Sequence, residues 1–466
     1  MSELIPSIEK QELQQESQPV QGSFVALIPL ALFIILFVGV GAYLTAQGVD
    51  YAFYQLPAPV AILPAIALAL ALGALFFKQS INKSIEHFIN GMGHNDIVAM
   101  CLIYLLAGAF AAVASATGGV QATVDLGLSL LSAQFMLPGI FIISAFVATA
   151  MGTSMGTIGA IAPIAYGLAQ ATGIDLALMA GVVLSGAMFG DNLSIISDTT
   201  IAATRSQGCA MQDKFKENIG IALPAAIFAI LIFFSLNQVS EPAAAPAQIE
   251  WLKVLPYLTI LILAVAGVNV YFVLTIGIVM AGGLGLCTQA DYQLIGFAKD
   301  IYKGFSNMQE IFLLSFLVGG LGELMRQQGG LKALQEWING WIARFSKQHS
   351  ERSNQRASEL GIAVLVSSTN ACVANNTVAI IVSGQVSKDL AQQHDVSAKR
   401  SASLLDIFSC VVQGLIPYGA QALLVGASFK ISPVAVVGNS FYPMLLAACA
   451  LAAIWIKHVG KKTQQV

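Results

Sequence analysis

The feature that most constrains this chain is the recurrence of apolar windows of bilayer-spanning length. Of its 466 residues, 56% are hydrophobic and 10% are charged, whereas about a quarter of the residues in a soluble domain are charged. A spanning helix needs about 20 mostly apolar residues. The chain is therefore predicted to be an all-α polytopic membrane protein with about ten spanning helices. The candidate segments are 24–46, 57–77, 95–116, 174–203, 218–236, 251–266, 267–287, 308–326, 396–429 and 433–457.

Two further apolar stretches, 135–172 and 358–394, are each divided near the middle by a polar cluster. The clusters are "MGTSMGT" at 151–157 and "SSTNACVANNT" at 367–377. Halves of about 15 residues are too short to cross a bilayer, so each stretch is predicted to be a re-entrant hairpin with a polar tip. Non-helical backbone at that depth is tolerated where it lies against protein or a water-filled cavity.

Two of the apolar segments, 174–203 and 396–429, are too long for one straight crossing and contain a polar, glycine-containing interruption. The interruptions are "GDNLSIISDTT" at 190–200 and "VVQGLIPYGAQA" at 411–422. Each broken segment follows a hairpin, so the order of parts recurs along the chain. This order predicts two repeats joined by a linker. The predicted divisions are a tail at 1–23, a first repeat at 24–236, a linker at 237–250, a second repeat at 251–457 and a tail at 458–466.

The distribution of basic residues favours opposite orientations for the two repeats. No Lys or Arg lies between Lys83 and Arg205, so the connection 117–134 carries none, whereas its counterpart 327–357 is rich in both. The positive-inside rule places the second connection in the cytoplasm and the first outside, as inverted-topology repeats require. With ten crossings, both termini are cytoplasmic in a multi-pass protein of the plasma (inner) membrane. The basic loop residues assigned to the cytoplasmic side include Lys78, Lys83, Arg205, Lys214, Lys216, Lys388, Lys399 and Arg400.

Polar residues at bilayer depth are the candidates for function. An intramembrane carboxylate costs roughly 2.5–3.5 kcal/mol on insertion scales, so Asp191, Asp198 and Asp406 are predicted to bind an ion or a proton. Hard cations prefer oxygen ligands, and paired broken helices hold ions in secondary transporters. We therefore predict Na⁺ at Asp191 and Asp198. The neutral ligands predicted for the ion are Asn192, Ser194, Ser197 and Thr199. The predicted substrate-binding residues are Thr153, Ser154, Thr157, Thr369, Asn370, Asn375, Asn376, Thr377, Gln413 and Tyr418.

The stretch "FGDNLSIISDTT" resembles the signature of the NhaC family of Na⁺/H⁺ antiporters, which belongs to a larger ion-transporter superfamily. The resemblance implies transport coupled to Na⁺ or H⁺ and an elevator motion of the hairpins and broken helices against a scaffold, often within a homodimer. Asn192 and Ile195 depart from the expected pattern, which leaves the transported solute open. The residues that the motif carries over as ion-site candidates are Asp191, Asn192, Ser194, Ser197, Asp198 and Thr199.

Two hypotheses about function stay open. The first is a Na⁺/H⁺ antiporter in which Asp191 and Asp198 alternate between Na⁺ and H⁺. The second is a Na⁺-coupled carrier of a small organic anion or amino acid, whose carboxylate lies at helix N-termini of the hairpin tips. The pseudo-symmetric hairpins fit alternating access better than a channel. No HExxH or P-loop motif indicates an enzyme. We expect lipid and a small solute as partners, no nucleic acid, and no cofactor besides the transported ions.

Overall fold

The computed structural model describes residues 21–47, 49, 55–130, 133–195, 197–237, 250–346 and 351–457. Most of the predicted tail 1–23, most of the linker 237–250 and all of the tail 458–466 lie outside these described residues. The described part is helical throughout and contains no strand, which confirms the predicted all-α class. Several of its helices are long and apolar enough to cross a membrane.

The helices of the first half begin with short consecutive turns. A 3₁₀ turn (Phe24–Leu27), α1 (Ile28–Ile34), a π-helical turn (Ile35–Gly39) and α2 (Val40–Ala46) follow one another. The rest are α3 (Ala58–Ala61), α4 (Leu63–Leu75), α5 (Ile81–Met92), α6 (Asn95–Ala116), α7 (Gly119–Leu130), α8 (Met136–Met151), α9 (Ser154–Thr172), α10 (Leu176–Leu193), α11 (Asp198–Gln207) and α12 (Met211–Leu236), with a 3₁₀ turn at Ala133–Phe135.

The second half repeats much of this order. Its helices are α13 (Trp251–Val265), α14 (Val270–Thr288), α15 (Leu294–Asn307), α16 (Gln309–Gln327), α17 (Gly330–Ser346), α18 (Glu351–Val373), α19 (Asn376–Gln393), α20 (Ala398–Gln413), α21 (Ala420–Phe429), α22 (Pro433–Gly438) and α23 (Phe441–Lys457).

By length and composition, six described helical segments can cross a membrane, or seven if the bent pair α15–α16 is one span. Four further apolar helices of the described residues are shorter. Helix occupies most of each of the ten predicted segments, but the number of crossings stays a prediction. The amphipathic helices α5 and α15 were not among the predicted elements.

Helix breaks divide the two stretches predicted as hairpins and the two long apolar segments. The first pair, α8–α9, breaks at Gly152 and Thr153, and the second, α18–α19, at Ala374 and Asn375. The first interrupted helix, α10–α11, and the second, α20–α21, break after Leu193 and Gln413. An interval of 222 residues separates the first residues of α9 and α19, of α10 and α20, and of α11 and α21. The halves therefore share a register around their breaks.

The two interrupted helices pack across the halves. Helix α9 contacts α21, and α11 contacts both α19 and α20. Within the first half, α10 lies close against α8, since a Cβ at Gly190 would overlap the Ala145 carbonyl oxygen. Small residues let membrane helices approach in this way. The four breaks are consequently gathered at the centre of the molecule, where the polar side chains at these breaks can meet.

The helices that precede each pair are also interlocked. Helix α5 of the first half packs on α16 of the second, and α15 packs on α6. The α6–α15 contact is backbone to backbone, because a Cβ at Gly108 would overlap the carbonyl oxygen of Gly304. Each half thus supplies one amphipathic helix to the long helix of the other, which builds a frame beside the central breaks.

Candidate cation site

Asp191 lies in the last turn of α10, at the first of the two helix interruptions. Its side chain is 5% exposed and accepts a hydrogen bond of 2.8 Å from the hydroxyl of Ser154, the first residue of α9. Among the described residues, no Lys, Arg or His forms an ion pair with it. Asp191 is therefore a buried carboxylate with a hydroxyl partner and no bound counter-charge.

A chain of side-chain hydrogen bonds joins Asp191 to the break of the second interrupted helix. The amide nitrogen of Gln421 donates to the Ser154 hydroxyl oxygen over 3.1 Å. The amide nitrogen of Gln413 donates to Gln421 Oε1 over 2.7 Å and to the Ala374 carbonyl over 3.2 Å. Hydrogen bonds between neutral polar groups thus connect Asp191, at the first interrupted helix, to the other three breaks. The sequence analysis selected Ser154 and Gln413 as site residues, whereas Gln421 is a polar residue of the same motif, "VVQGLIPYGAQA", to which it gave no role.

The backbone between α10 and α11 is held by hydroxyl groups. Ser197 caps α11, where its Oγ accepts from Thr200 N over 3.2 Å and lies 3.1 Å from Thr199 Oγ1. Thr200 Oγ1 donates to the Ser194 carbonyl over 2.7 Å, and Ser194 Oγ donates to the Thr149 carbonyl over 2.9 Å. The predicted ligands Ser194, Ser197 and Thr199 therefore shape the break, which the sequence alone could not distinguish from direct ligation.

The structure separates the two aspartates of the motif. Asp198 is the first residue of α11 and its side chain is exposed, whereas Asp191 is buried. An acidic residue in the first turn of a helix is favoured by the helix dipole. The predicted pairing of Asp191 with Asp198 around one Na⁺ is left as a proposal, since no described contact joins the two carboxylates.

A second buried carboxylate, Asp406 of α20, lies beside the same break with a different set of partners. Its Oδ2 atom is 2.7 Å from Lys214 Nζ and accepts from the amide groups of Asn192 over 2.9 Å and Asn218 over 2.7 Å. The side chains of Asp406 and Lys214 are 0% and 1% exposed. This carboxylate is therefore neutralised by a cation within the protein.

The assignment of Lys214 to a cytoplasmic loop was wrong. Helix α12 begins at Met211, seven residues before the predicted segment 218–236. Lys214 and Asn218 lie in its first turns, and both are buried in the core. The available signal was their spacing of four residues, which places both on one face of a helix. Arg400 was also counted as a loop charge, but it is 3% exposed and pairs with Glu359 over 2.9 Å.

The predicted substrate-binding residues of the second half mostly contact backbone. Asn370 donates to the Ser409 carbonyl over 2.8 Å, and the Tyr418 hydroxyl donates to the Ala371 carbonyl over 2.7 Å. Asn375 caps α19 by accepting from Val378 N over 3.0 Å. Asn376 Oδ1 accepts from Thr377 N over 3.1 Å. Thr369 Oγ1 accepts from the Ser383 hydroxyl over 3.2 Å.

In the first pair, Thr153 is the N-cap residue of α9 but makes no side-chain capping bond. Thr157 donates to the Thr153 carbonyl over 3.0 Å. Hydroxyls in membrane helices commonly bond their own backbone in this way. Of the first-half residues predicted to bind substrate, Ser154 alone touches a carboxylate among the described contacts.

A cavity of about 1200 Å³ opens between the frame and the interrupted helices. Its wall includes α9 and α21 on one side and α6, α15 and α16 on the other. Charged residues at the wall are Asp300, Lys303, Glu310 and Lys430. A smaller cavity of about 300 Å³ lies against the second pair, with His94, Glu323, Arg326 and Asn375 at its wall. Both cavities therefore border a helix pair, one in each half.

Among the described residues, no group of three or more His, Cys, Asp or Glu side chains could hold a metal ion. Of the two buried carboxylates described at the breaks, Asp406 is paired with Lys214, so a cation there would meet the carboxylate of Asp191 and neutral oxygens. That donor set suits a monovalent hard cation better than a divalent one, whose sites use several carboxylates.

Comparison with known proteins places these features in context. The sequence model of the Na⁺/H⁺ antiporter family matches residues 7–237. The Na⁺/H⁺ antiporter NhaC of Bacillus subtilis is 26% identical over 413 residues, which are 80% of this chain and 87% of that protein. The malate-2H⁺/Na⁺-lactate antiporter of the same organism is 22% identical over 439 residues, 86% of this chain and 89% of that protein. The crystal structure of the Alcanivorax borkumensis YdaH transporter aligns with a TM-score of 0.38 and 13% identity, covering 93% of this chain and 98% of that one.

Proposed function

Because this chain belongs to the Na⁺/H⁺ antiporter family, we propose that it exchanges Na⁺ for H⁺ across the membrane at Asp191. The chain is a secondary transporter and not an enzyme. It is a multi-pass membrane protein that works with lipid around it and a small ion as substrate. The family implies no cofactor besides the transported ions.

The observation that carries the proposal is the isolation of the Asp191 carboxylate. It is buried in a membrane segment, accepts one hydrogen bond, from Ser154, and has no ion-pair partner among the described residues. An uncompensated carboxylate at this depth is costly. A proton or a metal cation neutralises it, and one excludes the other. An exchanger requires this competition, because the site then moves between the two sides of the membrane with either Na⁺ or H⁺ bound to the carboxylate.

The remaining motif residues support this site in different ways. The C-terminal end of α10 points its last carbonyls toward the break, where the helix dipole favours a cation. Ser154 orients the carboxylate, and Ser194, Ser197 and Thr199 hold the shape of the break. Asp198, exposed at the start of α11, attracts the cation as it approaches. The predicted Na⁺ at Asp191 and Asp198 is thus refined to binding at Asp191 with assistance from Asp198.

Alternating access follows from the arrangement of the breaks. We propose that α8–α9 and α18–α19 are re-entrant hairpins from opposite faces, within inverted repeats of residues 24–236 and 251–457. The shared register of the breaks and the cross-packing of the halves support this arrangement. In an elevator motion, hairpins and interrupted helices move as one body against the frame of α5, α6, α15 and α16. The proposal also includes ten membrane crossings with both termini in the cytoplasm, and a homodimer in the plasma membrane.

The test is exchange in proteoliposomes loaded with a pH-sensitive dye. An inward Na⁺ gradient is expected to drive protons out and to raise the internal pH with no organic solute present. Asp191→Asn, which keeps the size of the side chain but neither charge nor proton, is expected to abolish the response. Lowering the pH is expected to raise the Na⁺ concentration for half-maximal rate in the wild type, because protons compete for the same carboxylate.

Asp389→Asn is the matched control, because Asp389 is exposed on α19 and contacts Gln385. It is expected to exchange like the wild type, and Asp198→Asn is expected to exchange with weaker apparent affinity for Na⁺. Full exchange by Asp191→Asn protein would exclude this carboxylate as the carrier. A pH that stays flat in the wild type would reject cation–proton exchange altogether.

The large cavity favours a second candidate, Na⁺-coupled transport of a small organic anion or amino acid. Its volume of about 1200 Å³ exceeds that of pockets for organic ligands, which run to about 1,000 Å³, so a small organic solute fits inside it, and its wall carries both charge signs. The similarity to the malate-2H⁺/Na⁺-lactate antiporter is in keeping with this candidate. Here the internal pH would change only after a carboxylate or amino acid is added. Lys303→Ala, which removes a positive charge from the wall of this cavity, would then weaken uptake of that solute and leave Na⁺ affinity unchanged.

A further inference from the structure

The ammonium group of Lys214 lies in an enclosed oxygen cage at the break of α10. Its Nζ atom is 2.7 Å from Asp406 Oδ2, 2.9 Å from the Asn192 carbonyl oxygen and 2.7 Å from Thr200 Oγ1. An ammonium has three donor hydrogens and no acceptor. The three oxygens satisfy all of them, so the cation is fully coordinated inside the protein.

The three oxygens are of the types that bind hard cations. One belongs to a carboxylate, one to a hydroxyl, and one to the main chain at the C-terminal end of α10. Carbonyls in the last turn of a helix lack intrahelical partners and lie at the negative end of its dipole. Carboxylates, carbonyls and hydroxyls at a broken helix are the donor set of cation sites in secondary transporters.

The residues around the ammonium also carry oxygens that it does not bind. The atoms Asp406 Oδ1, Asn192 Oδ1 and Asn218 Oδ1 are buried and have no hydrogen-bond partner among the described residues. Their residues are already connected, because the amides of Asn192 and Asn218 both donate to Asp406 Oδ2. Buried acceptors are normally paired. Three unpaired oxygens, one of the carboxylate and two of neighbouring amides, therefore indicate a site suited to a cation with more ligands than an ammonium takes.

We propose that Asp406, Asn192, Asn218 and Thr200 form a second monovalent-cation site, which the ammonium of Lys214 fills permanently as a tethered cation. The wild-type chain consequently binds its transported cation at Asp191 alone. Without the lysine, the same oxygens bind Na⁺ or a small alkylammonium from solution. This inference rests on the proposed function for its first cation site, whereas the second site is argued from its own contacts.

The test is cation binding by purified protein in detergent, with choline chloride keeping the ionic strength constant. Equilibrium binding of radioactive Na⁺ is expected to give one ion per chain for the wild type and two for Lys214→Ala. Ethylammonium is expected to raise the unfolding temperature of Lys214→Ala protein, because it restores the missing ammonium and binds the folded state. Neither effect is expected in Lys214→Ala/Asp406→Asn, which lacks the carboxylate.

Lys214→Gln serves as a second variant if Lys214→Ala protein elutes as aggregate in size exclusion, since Gln retains much of the side-chain volume without charge. It is also expected to bind two Na⁺ ions. A folded variant that still binds one ion and does not respond to ethylammonium would overturn the proposal. Two ions on the wild-type chain would overturn it as well.

The outcome is separable from that of the proposed function. Absence of Na⁺-driven proton movement in the wild type would count against exchange at Asp191. A response of Lys214→Ala to ethylammonium that disappears with Asp406→Asn would establish the second site in either case. Lys216→Ala is the control for removal of a charge from α12, because Lys216 is exposed on the same helix, and its binding is expected to equal the wild type.

Discussion

The two halves of the molecule place equivalent backbone around one centre but equip it with different chemistry. Asp191 near the end of α10 and Gln413 at the end of α20 are separated by the 222-residue interval that relates the helix starts. The first half thus has a carboxylate where the second has an amide. The carboxylate of the second half, Asp406, lies about two turns earlier in its helix and is paired with a lysine from the first half.

This comparison shows how a symmetric fold can hold an asymmetric site. The recurring order of helices supplies the breaks in pairs, but two equally bare carboxylates would double the charge to be compensated in each transport step. Pairing Asp406 with Lys214 removes one of them. Asp191 is then the buried carboxylate that has no ion-pair partner among the described residues at the breaks, and the proposed exchange depends on its charge. The proposed exchange therefore depends on the differences between the two halves as much as on what they share.

The largest expected effect comes from breaking the Lys214–Asp406 pair. In Na⁺-free choline buffer, Lys214→Met leaves a buried charge unpaired and is expected to lower the free energy of unfolding by about 3–5 kcal/mol. Lys214→Met/Asp406→Leu removes both charges, and its loss is expected to be smaller than that of Lys214→Met alone. Denaturant unfolding in detergent measures both.

Lys216→Met controls for the loss of a lysine on an exposed face of α12 and is expected to change stability little. An equal loss in the single and double variants would mean that packing around the side chains, rather than charge compensation, dominates the second centre. The contrast between a neutralised and a bare carboxylate would then lose its energetic basis.

The next effect tests the bare carboxylate through its hydrogen-bond partner. Ser154→Ala removes the hydroxyl that donates to Asp191 and accepts from Gln421. Hydrogen bonds to charged groups contribute about 1.5–3 kcal/mol, so apparent Na⁺ affinity is expected to fall about tenfold or more, since 1.4 kcal/mol corresponds to a factor of ten. Initial rates of exchange at varied Na⁺ measure this.

Ser144→Ala is the matched control, because Ser144 is also fully buried in the first pair but its hydroxyl has no hydrogen-bond partner among the described residues. Its Na⁺ affinity is expected to be unchanged. Equal losses in both variants would indicate that the first pair is sensitive to any substitution, and that Ser154 does not orient Asp191 specifically.

The helical class could be predicted from the sequence because the length of an apolar window is a local property. It does not depend on which distant residues come into contact. The polar clusters also indicated where helices break. Charged residues at helix starts were harder to place, as Lys214 shows. A lysine close to other lysines is typical of a cytoplasmic loop, and only packing against α20 reveals that it lies inside.

Hydrogen bonds between residues that are distant in sequence were the other feature that could not be predicted. Gln421 reaches Ser154 across 267 positions of sequence, and nothing local to either residue indicates the contact. The amphipathic helices α5 and α15 were missed because their polar faces interrupt apolar windows. Asp198 and Asp191 have similar surroundings in sequence, and their different exposure depends on how α11 turns after the break.

The smallest expected effect concerns the tips of the two helix pairs, which differ by one methyl group. Gly152 and Ala374 occupy equivalent positions, and both have positive φ, 67° and 51°. A non-glycine residue there costs roughly 1–2 kcal/mol, so Gly152→Ala is expected to lower the free energy of unfolding by about 1 kcal/mol. Ala374→Gly relieves that strain but gives the unfolded chain more freedom, worth about 0.4–1 kcal/mol. Its net effect is expected to be under about 1 kcal/mol.

Denaturant unfolding of both variants in detergent compares the tips directly. The Ala374 carbonyl accepts from Gln413, so the strained backbone of the second tip also positions the amide that stands in the place of Asp191. If Ala374→Gly loosened this tip, exchange would weaken although stability hardly changed. Unchanged exchange together with unchanged stability would show that the second tip tolerates either residue, and that the asymmetry of the halves lies in their charged groups alone.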